Sequence, residues 1–317
     1  MKLSIVATLY HSELYIVEFC SRMSDAAKSL VGEDYEIILV NDGSPDSSFV
    51  IAAQLVKVDS HITLIDLSRN FGHHKAIMTG LYHAEGDHVF LIDCDLEEEP
   101  EWLIGFNNQL IKNKCDVVYG VQSKRRGRFF ERWSGQAYYQ IFNFLTNIKV
   151  PENTVMARLM TRRYVDALLL HKETEVVIAG LFSITGFVQQ HQLVMKHSSS
   201  ETTYSLRKKM AMLVNSVTSF SNTPLVAIFY IGSLISFIAF LYNMYLMAIW
   251  SFYSKPLSGW TSVMASIWLI GGMIISFIGV IGIYLSKIFN ETKQRPNTVI
   301  RQILKGDNKN IPTSKIG

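Results

Sequence analysis

No Asp, Glu, Lys or Arg occurs between Leu225 and Trp250, or between Trp260 and Ser286. A helix in a soluble core usually keeps a polar outer face, so two such runs argue against a wholly soluble protein. About 20 apolar residues cross a bilayer core, and both runs are long enough to span it with tilt. Cysteine is scarce as well. Cys20, Cys94 and Cys115 show no metal-ligand spacing and no disulfide framework, so reduced core thiols are expected. No secretory leader is legible, because Met1–Val6 opens a strand rather than a long apolar segment with a small-residue cleavage site. Roughly the first 200 residues are therefore expected to stay in the cytosol. Internal repeats are lacking, and the net charge of +3 is small. The basic run Lys124–Arg132 is too short to point to nucleic acid. Hydrophobic residues make up 49% of the chain, with a mean hydropathy of +0.18, and the excess sits in the two uncharged runs.

What precedes those runs alternates between strand and helix. Lys2–Tyr10 reads as a strand, and Ile16, Phe19, Cys20, Met23, Ala27 and Leu30 then recur at helical spacing. Tyr35–Val40 is a second buried strand ending on Asn41-Asp42-Gly43-Ser44-Pro45-Asp46, where Ser44 and Pro45 suit an N-cap and first turn for a helix over Ser47–Val58. His61–Asp66 is a third strand, followed by Ser68-Arg69-Asn70-Phe71-Gly72 and a helix over Lys75–Ala84. Pro100 opens a helix whose apolar face holds Trp102, Leu103, Phe106, Leu110 and Ile111, and Asp116–Val121 is a fifth strand. Arg162–Leu170 reads as a short helix and Ile184–Met195 as extended chain. Five alternations predict a parallel, doubly wound α/β sheet.

The fourth strand carries the chemistry. Val89-Phe90-Leu91-Ile92 runs directly into Asp93-Cys94-Asp95. Two like charges so close repel, and burying either unpaired costs several kcal/mol. A bound divalent cation resolves both problems, and oxygen ligands suit Mg²⁺ or Mn²⁺, which take one or two carboxylates plus substrate phosphates. Ligands of doubly wound sheets sit beyond the carboxyl ends of the strands. Asp42, Asn70, Asp93 and Asp95 all fall at such ends, so one crevice is expected to collect them.

Together these stretches resemble the family-2 inverting glycosyltransferases of GT-A fold, and within them the membrane-bound branch that moves a sugar from a nucleotide onto a polyprenyl phosphate. The resemblance covers nearly the whole chain. It is carried by Val40–Asp46, Ser68–Gly72, Asp93-Cys94-Asp95-Leu96 with Pro100-Glu101, Phe129-Phe130-Glu131-Arg132, Arg158-Leu159-Met160 and Tyr204–Lys208. It implies a GT-A, mostly parallel sheet in which Asp42 and Asp93 contact the nucleotide, with Asn70 expected to bind it alongside them, and Asp95 with help from Asp93 binds the metal. Arg125 and Arg158 match family arginines that face phosphate groups. The resemblance also implies a nucleotide-sugar donor, a polyprenyl phosphate acceptor of undecaprenyl or dolichyl type, and a lipid-linked sugar made for cell-surface glycans. It leaves a homo-oligomer open. Four positions depart from the family pattern. Glu97 stands for a glutamine, Gln122 for an arginine, Met156 for an aspartate and His197 for an arginine.

The expected layout is a cytosolic catalytic domain over 1–203, an interfacial helix over 204–223, a two-helix transmembrane hairpin over 224–289 and a basic tail over 290–317. Tyr204–Phe220 sets Arg207, Lys208 and Lys209 against Leu206, Met210, Leu213, Val214, Val217 and Phe220, the pattern of a helix lying in a membrane interface. From Lys287 onward seven cations face two carboxylates, while the loop Ser251–Gly259 holds only Lys255. The positive-inside tendency therefore puts both termini in the cytosol of an integral membrane protein, in the bacterial inner membrane by resemblance. Near a bilayer, Lys124–Arg132 gains a role in meeting phosphate or lipid headgroups. Two rivals stand beside this reading. A polymerising synthase would carry Gln-x-x-Arg-Trp, but Phe129 occupies the glutamine position before Arg132-Trp133. A nucleotide-binding membrane subunit that has lost activity is separated by a donor-transfer measurement.

Overall fold

A computed structural model describes residues 2–122, 140, 143–146, 151, 153–173, 177–196, 206–253 and 259–306. The basic run at Lys124–Arg132 with Arg125, and His197, lie outside the described residues.

The first unit is built on β1 (Leu3–Leu9), β2 (Tyr35–Asn41), β3 (Ile62–Leu67) and β4 (His88–Leu91), which pair in parallel in the order β4-β1-β2-β3. These strands are nearly continuous apolar runs because both sheet faces are covered. On one face Leu3, Ile5, Ala7 and Leu9 pack in one core with Ile16, Phe19 and Met23 of α1 (Ile16–Val31), Ala52 and Val56 of α2 (Ser48–Val58), and Leu103 and Phe106 of α4 (Trp102–Asn113). On the other face α3 (His73–His83) lies against β1 and β2. It comes so close that a Cβ on Gly80 would run into Val6. Helices on both faces give the doubly wound arrangement that the alternation predicts.

The sheet is mixed beyond this centre. β5 (Val117–Gln122) does not neighbour β4, because β6 (Thr154–Thr161) lies antiparallel between them. β7 (Gln189–Val194) pairs parallel with β5 at one edge. Ile184–Met195 is thus extended only in part, since α6 (Ile178–Ile184) ends at its first residue and Gly186 and Phe187 adopt φ of 78° and 62° before β7; α5 (Arg162–Leu168) is the short helix expected over Arg162–Leu170. The N-cap reading at Ser44 is corrected too. Helix α2 begins at Ser48, and the carboxylate of Asp46 accepts from the Ser48 amide at 3.1 Å and the Glu13 amide at 3.2 Å. Those bonds and the Ser44 and Ser48 hydroxyls outweigh burial and hold the Asp46 carboxyl down at about 2.

The basic tail is not a separate appendage. Its residues Ile300–Lys305 form β8, antiparallel to β3 at the other sheet edge. Thr298 meets Thr79 of α3 hydroxyl to hydroxyl at 2.8 Å. Val299, Ile300, Ile303 and Leu304, set among the tail's cations, supply a strand's apolar residues.

The second unit contains α7 (Leu206–Phe220), α8 (Thr223–Tyr253) and α9 (Trp260–Thr292). Lys287 donates to the Asn215 carbonyl at 3.0 Å and to Ser219 at 2.7 Å, satisfying the C-terminal end of α7. Tyr284 donates to the Ser221 carbonyl at 2.6 Å. The spans Thr223–Tyr242 and Ile270–Thr292 have mean hydropathies of 2.3 and 1.9 and are 0% buried. Core helices of a soluble protein would be covered by protein, so these two are long and apolar enough to cross a membrane and expose the side chains to do so.

Candidate active site

The parallel strands deliver their carboxyl ends to one side of the first unit. β2 there ends in Asn41-Asp42, β3 leads to Ser68-Arg69-Asn70, and β4 ends just before Ile92-Asp93. Asp42 is buried, and its two carboxylate oxygens accept from the Phe71 amide at 2.7 Å and the Gly72 amide at 3.0 Å. Burial pushes its carboxyl up, and the two amides with nearby His73 and Arg69 oppose that. Asp42 therefore fixes the loop that carries Asn70. Gly43, at φ 60°, lets the turn approach this loop, since a Cβ there would lie 2.5 Å from the Asn70 nitrogen. Asn70 is exposed; its carbonyl accepts from Arg69, whose guanidinium lies 4.1 Å from the Phe71 ring centroid.

Asp93 emerges from β4 with a carboxylate oxygen 3.5 Å from His73 Nε2, while His73 Nδ1 is 3.0 Å from the Thr8 hydroxyl. Burial and then the Asp95 charge push the Asp93 carboxyl up to about 7. Burial lowers the His73 imidazole, against the pull of Asp42 and Asp95. Asp95 accepts from the Glu97 amide at 3.0 Å across a turn in which Leu96 adopts φ 57°. A left-handed leucine is uncommon and marks a backbone held by its surroundings.

The next two carboxylates turn towards Lys196, which follows β7. Its ammonium is 2.9 Å from Glu97 and 4.0 Å from Glu98. Glu98 is wholly buried, and its two oxygens accept from the Met156 amide at 2.9 Å and the Ala157 amide at 2.8 Å. Burial, then Asp93, push its carboxyl up to about 8. A cavity of about 230 Å³ is lined by Asp93, Glu98, Gln122, Asn153, Met156 and Lys196, with Thr154 and Val155.

Residues 4–169, just over half of the chain, match the model of Glycosyl transferase family 2. The chain belongs to that family. A Mycobacterium tuberculosis (strain CDC 1551 / Oshkosh) protein named as a glycosyltransferase is 48% identical over 97% of this chain and 90% of its own length. The SfII prophage-derived bactoprenol glucosyl transferase of Shigella flexneri is 30% identical over 97% of this chain and 100% of its own length. Among solved structures, mannosyl-3-phosphoglycerate synthase from Rubrobacter xylanophilus aligns with a TM-score of 0.48 at 14% identity, covering 69% of this chain and 73% of that one.

Family membership and the helix-covered mixed sheet make this family-2 glycosyltransferase a GT-A fold, and its parallel-strand ends hold Asp42, Asn70, Asp93 and Asp95. Arg158 stands opposite Leu91, the last residue of β4. It sits within β6, 6% exposed, with its guanidinium 3.3 Å from the centroid of the Phe182 ring and donating to the carbonyls of Met156 at 3.2 Å and Val155 at 3.5 Å. Burial lowers it to about 10, and it is not among the residues lining the cavity. Of the departures from the family pattern, Gln122 and Met156 line the cavity and Glu97 pairs with Lys196.

Glu98, Lys196 and His73 went unnoticed in the sequence. Glu98 is the middle of a Glu-Glu-Glu run that resembles a solvated loop, and Lys196 is a lone cation after an apolar stretch. Only His73, which directly follows the Ser68–Gly72 stretch at the start of α3, carried a local signal. The donor set suits a hard divalent cation. Asp93 and Asp95 offer oxygens, and burial with the neighbouring Asp95 charge disfavours a bare Asp93 carboxylate. Among the described residues no three His, Cys, Asp or Glu side chains are grouped so as to hold a metal ion by themselves.

Proposed function

We propose that this glycosyltransferase moves a sugar from a nucleotide-sugar to a polyprenyl phosphate at the cytosolic face of a membrane, with inversion at the anomeric carbon. The lipid-linked product would serve cell-surface glycan modification. The observation that carries the reading is the composition of the cavity next to Asp93. Met156 brings no base to it, the Glu98 oxygens already accept two backbone amides, Lys196 is paired with Glu97, and Asp93 would be occupied by the cation. A hydroxyl acceptor requires a general base, whereas a phosphate monoester, with a second pKa of about 6, is ionised near neutral pH. Its oxygen attacks the anomeric carbon without giving up a proton. Similarity to a bactoprenol glucosyl transferase over 97% of this chain, apolar helices included, supports the same acceptor class.

Asp95 and Asp93 would hold Mg²⁺ or Mn²⁺, which when bound stabilises the charge of a leaving diphosphate. Asp42 orders the 68–72 loop beside the donor, and Lys196 keeps Glu97 and Glu98 from repelling that diphosphate unscreened. The test is a screen of nucleotide-sugars with purified protein, undecaprenyl phosphate and undecaprenol, read by mass. Product is expected from the phosphate alone. Equal product from undecaprenol or a soluble sugar refutes the acceptor, and no transfer or donor hydrolysis with any nucleotide-sugar favours the inactive-subunit reading.

The tail supports the topology. Because β8 pairs with β3, the chain following α9 rejoins the sheet that it left before α7. Two helices that cross a bilayer between those points cross as a hairpin. The cations of Arg207–Lys209, Lys293 and Arg295 accord with a cytosolic location for both ends. A C-terminal green fluorescent protein fusion is expected to fluoresce in the cytosol, and a C-terminal alkaline phosphatase fusion to be inactive. The reverse pattern would overturn this layout.

A further inference from the structure

The pairing of β3 with β8 holds one register from Thr63–Lys305 to Asp66–Gln302, and then Leu67 pairs with Ile300. The residue skipped is Arg301, so β8 bulges there. A bulge leaves one residue unpaired and re-aims its side chain. Arg301 donates to the Asp66 carboxylate at 3.2 Å and to the Ser68 carbonyl at 2.7 Å. Asp66 is 1% exposed, and its other oxygen accepts from the Asn41 side-chain amide at 2.8 Å. The Asn41 side-chain oxygen in turn accepts from the Ser44 amide at 3.3 Å. The buried side chains of Asn41 and Asp66 thus tie the turn containing Asp42 to a strand that follows the second apolar helix. Ser68 opens the loop whose Phe71 and Gly72 amides bind Asp42, so Arg301 holds that loop directly and reaches the turn of Asp42 through Asp66 and Asn41.

We propose that Arg301 is a positioning residue for the donor nucleotide, holding the 41–44 turn and the 68–72 loop in register through Asp66. The proposal rests on the reading of Asp42 as part of the donor site. Without Arg301, the buried Asp66 carboxylate keeps only the Asn41 amide among these partners, and the Ser68 carbonyl loses its donor. Residues in one hydrogen-bond network couple by enough to change an equilibrium about tenfold.

The full-length protein in detergent micelles is measured in two ways: hydrogen exchange of peptides containing the Phe71 and Gly72 amides, and titration with UDP and with GDP in the presence of Mn²⁺. Arg301→Met is expected to speed that exchange about tenfold and to weaken nucleotide binding about tenfold. Arg301→Lys, which keeps the charge but loses the fork, falls between. Adding Asp66→Asn to Arg301→Met removes the buried charge while keeping an acceptor for Asn41, and restores most of both signals. This double variant also decides the matter if Arg301→Met alone does not fold. Exchange and binding within about twofold of wild type in folded Arg301→Met overturn the proposal. Wild-type protein that binds neither nucleotide overturns the donor reading, and the link to the nucleotide with it. Normal wild-type binding with unchanged loop exchange overturns the role of Arg301 alone.

Discussion

Asp95→Asn is expected to lower transfer by about 10³-fold with the fold intact, the scale lost when a group that stabilises transition-state charge is removed. The substitution isolates charge from shape. Asp95 accepts from the Glu97 amide through Oδ1, and an asparagine oxygen accepts there equally, so the turn at left-handed Leu96 persists. What disappears is one of the two carboxylates proposed to hold the cation. The measurement is initial transfer rate at saturating donor over a Mn²⁺ titration, with circular dichroism as the check on folding. Activity within about tenfold of wild type, or a wild-type enzyme indifferent to EDTA, would remove the metal from the reaction.

Glu98→Ala acts on stability rather than on the cation. Its two oxygens hold the amides of Met156 and Ala157 near the start of β6, the strand that joins β4 to β5. Removing a buried acceptor leaves each donor at a cost of about 1–3 kcal/mol, so about 3 kcal/mol is expected for the pair. For a domain of this size that lowers Tm by about 6–12 °C. Glu98→Gln retains one acceptor and is expected midway. Thermal melts of the three proteins at one pH decide it. A Tm for Glu98→Ala within about 2 °C of wild type would mean that β6 does not depend on this carboxylate.

The five strand–helix alternations, the carboxylates at the strand ends and the two uncharged apolar runs were all legible in the sequence. Each is a local pattern: apolar runs for buried strands, 3.6-residue periodicity for helices, and length without charge for the apolar pair. Asp42, Asp93 and Asp95 followed, because a doubly wound sheet presents its strand ends together. The insertion of β6 between β4 and β5 was not legible, since Thr-Val-Met-Ala-Arg-Leu-Met-Thr contains no signal of which strands it will join. The same holds for β8, in which Arg301 interrupts and Lys305 ends the apolar residues and nothing local points to β3. Glu98 with the amides 58 and 59 residues away, Lys196 with Glu97, and Arg301 with Asp66 across 235 residues are pairings between distant segments. Such partners are chosen by which buried charges and amides meet once the chain has folded, and the requirement that each be satisfied acts only there. Local composition thus determined the elements and the strand-end carboxylates, while the folded sheet decided what surrounds them.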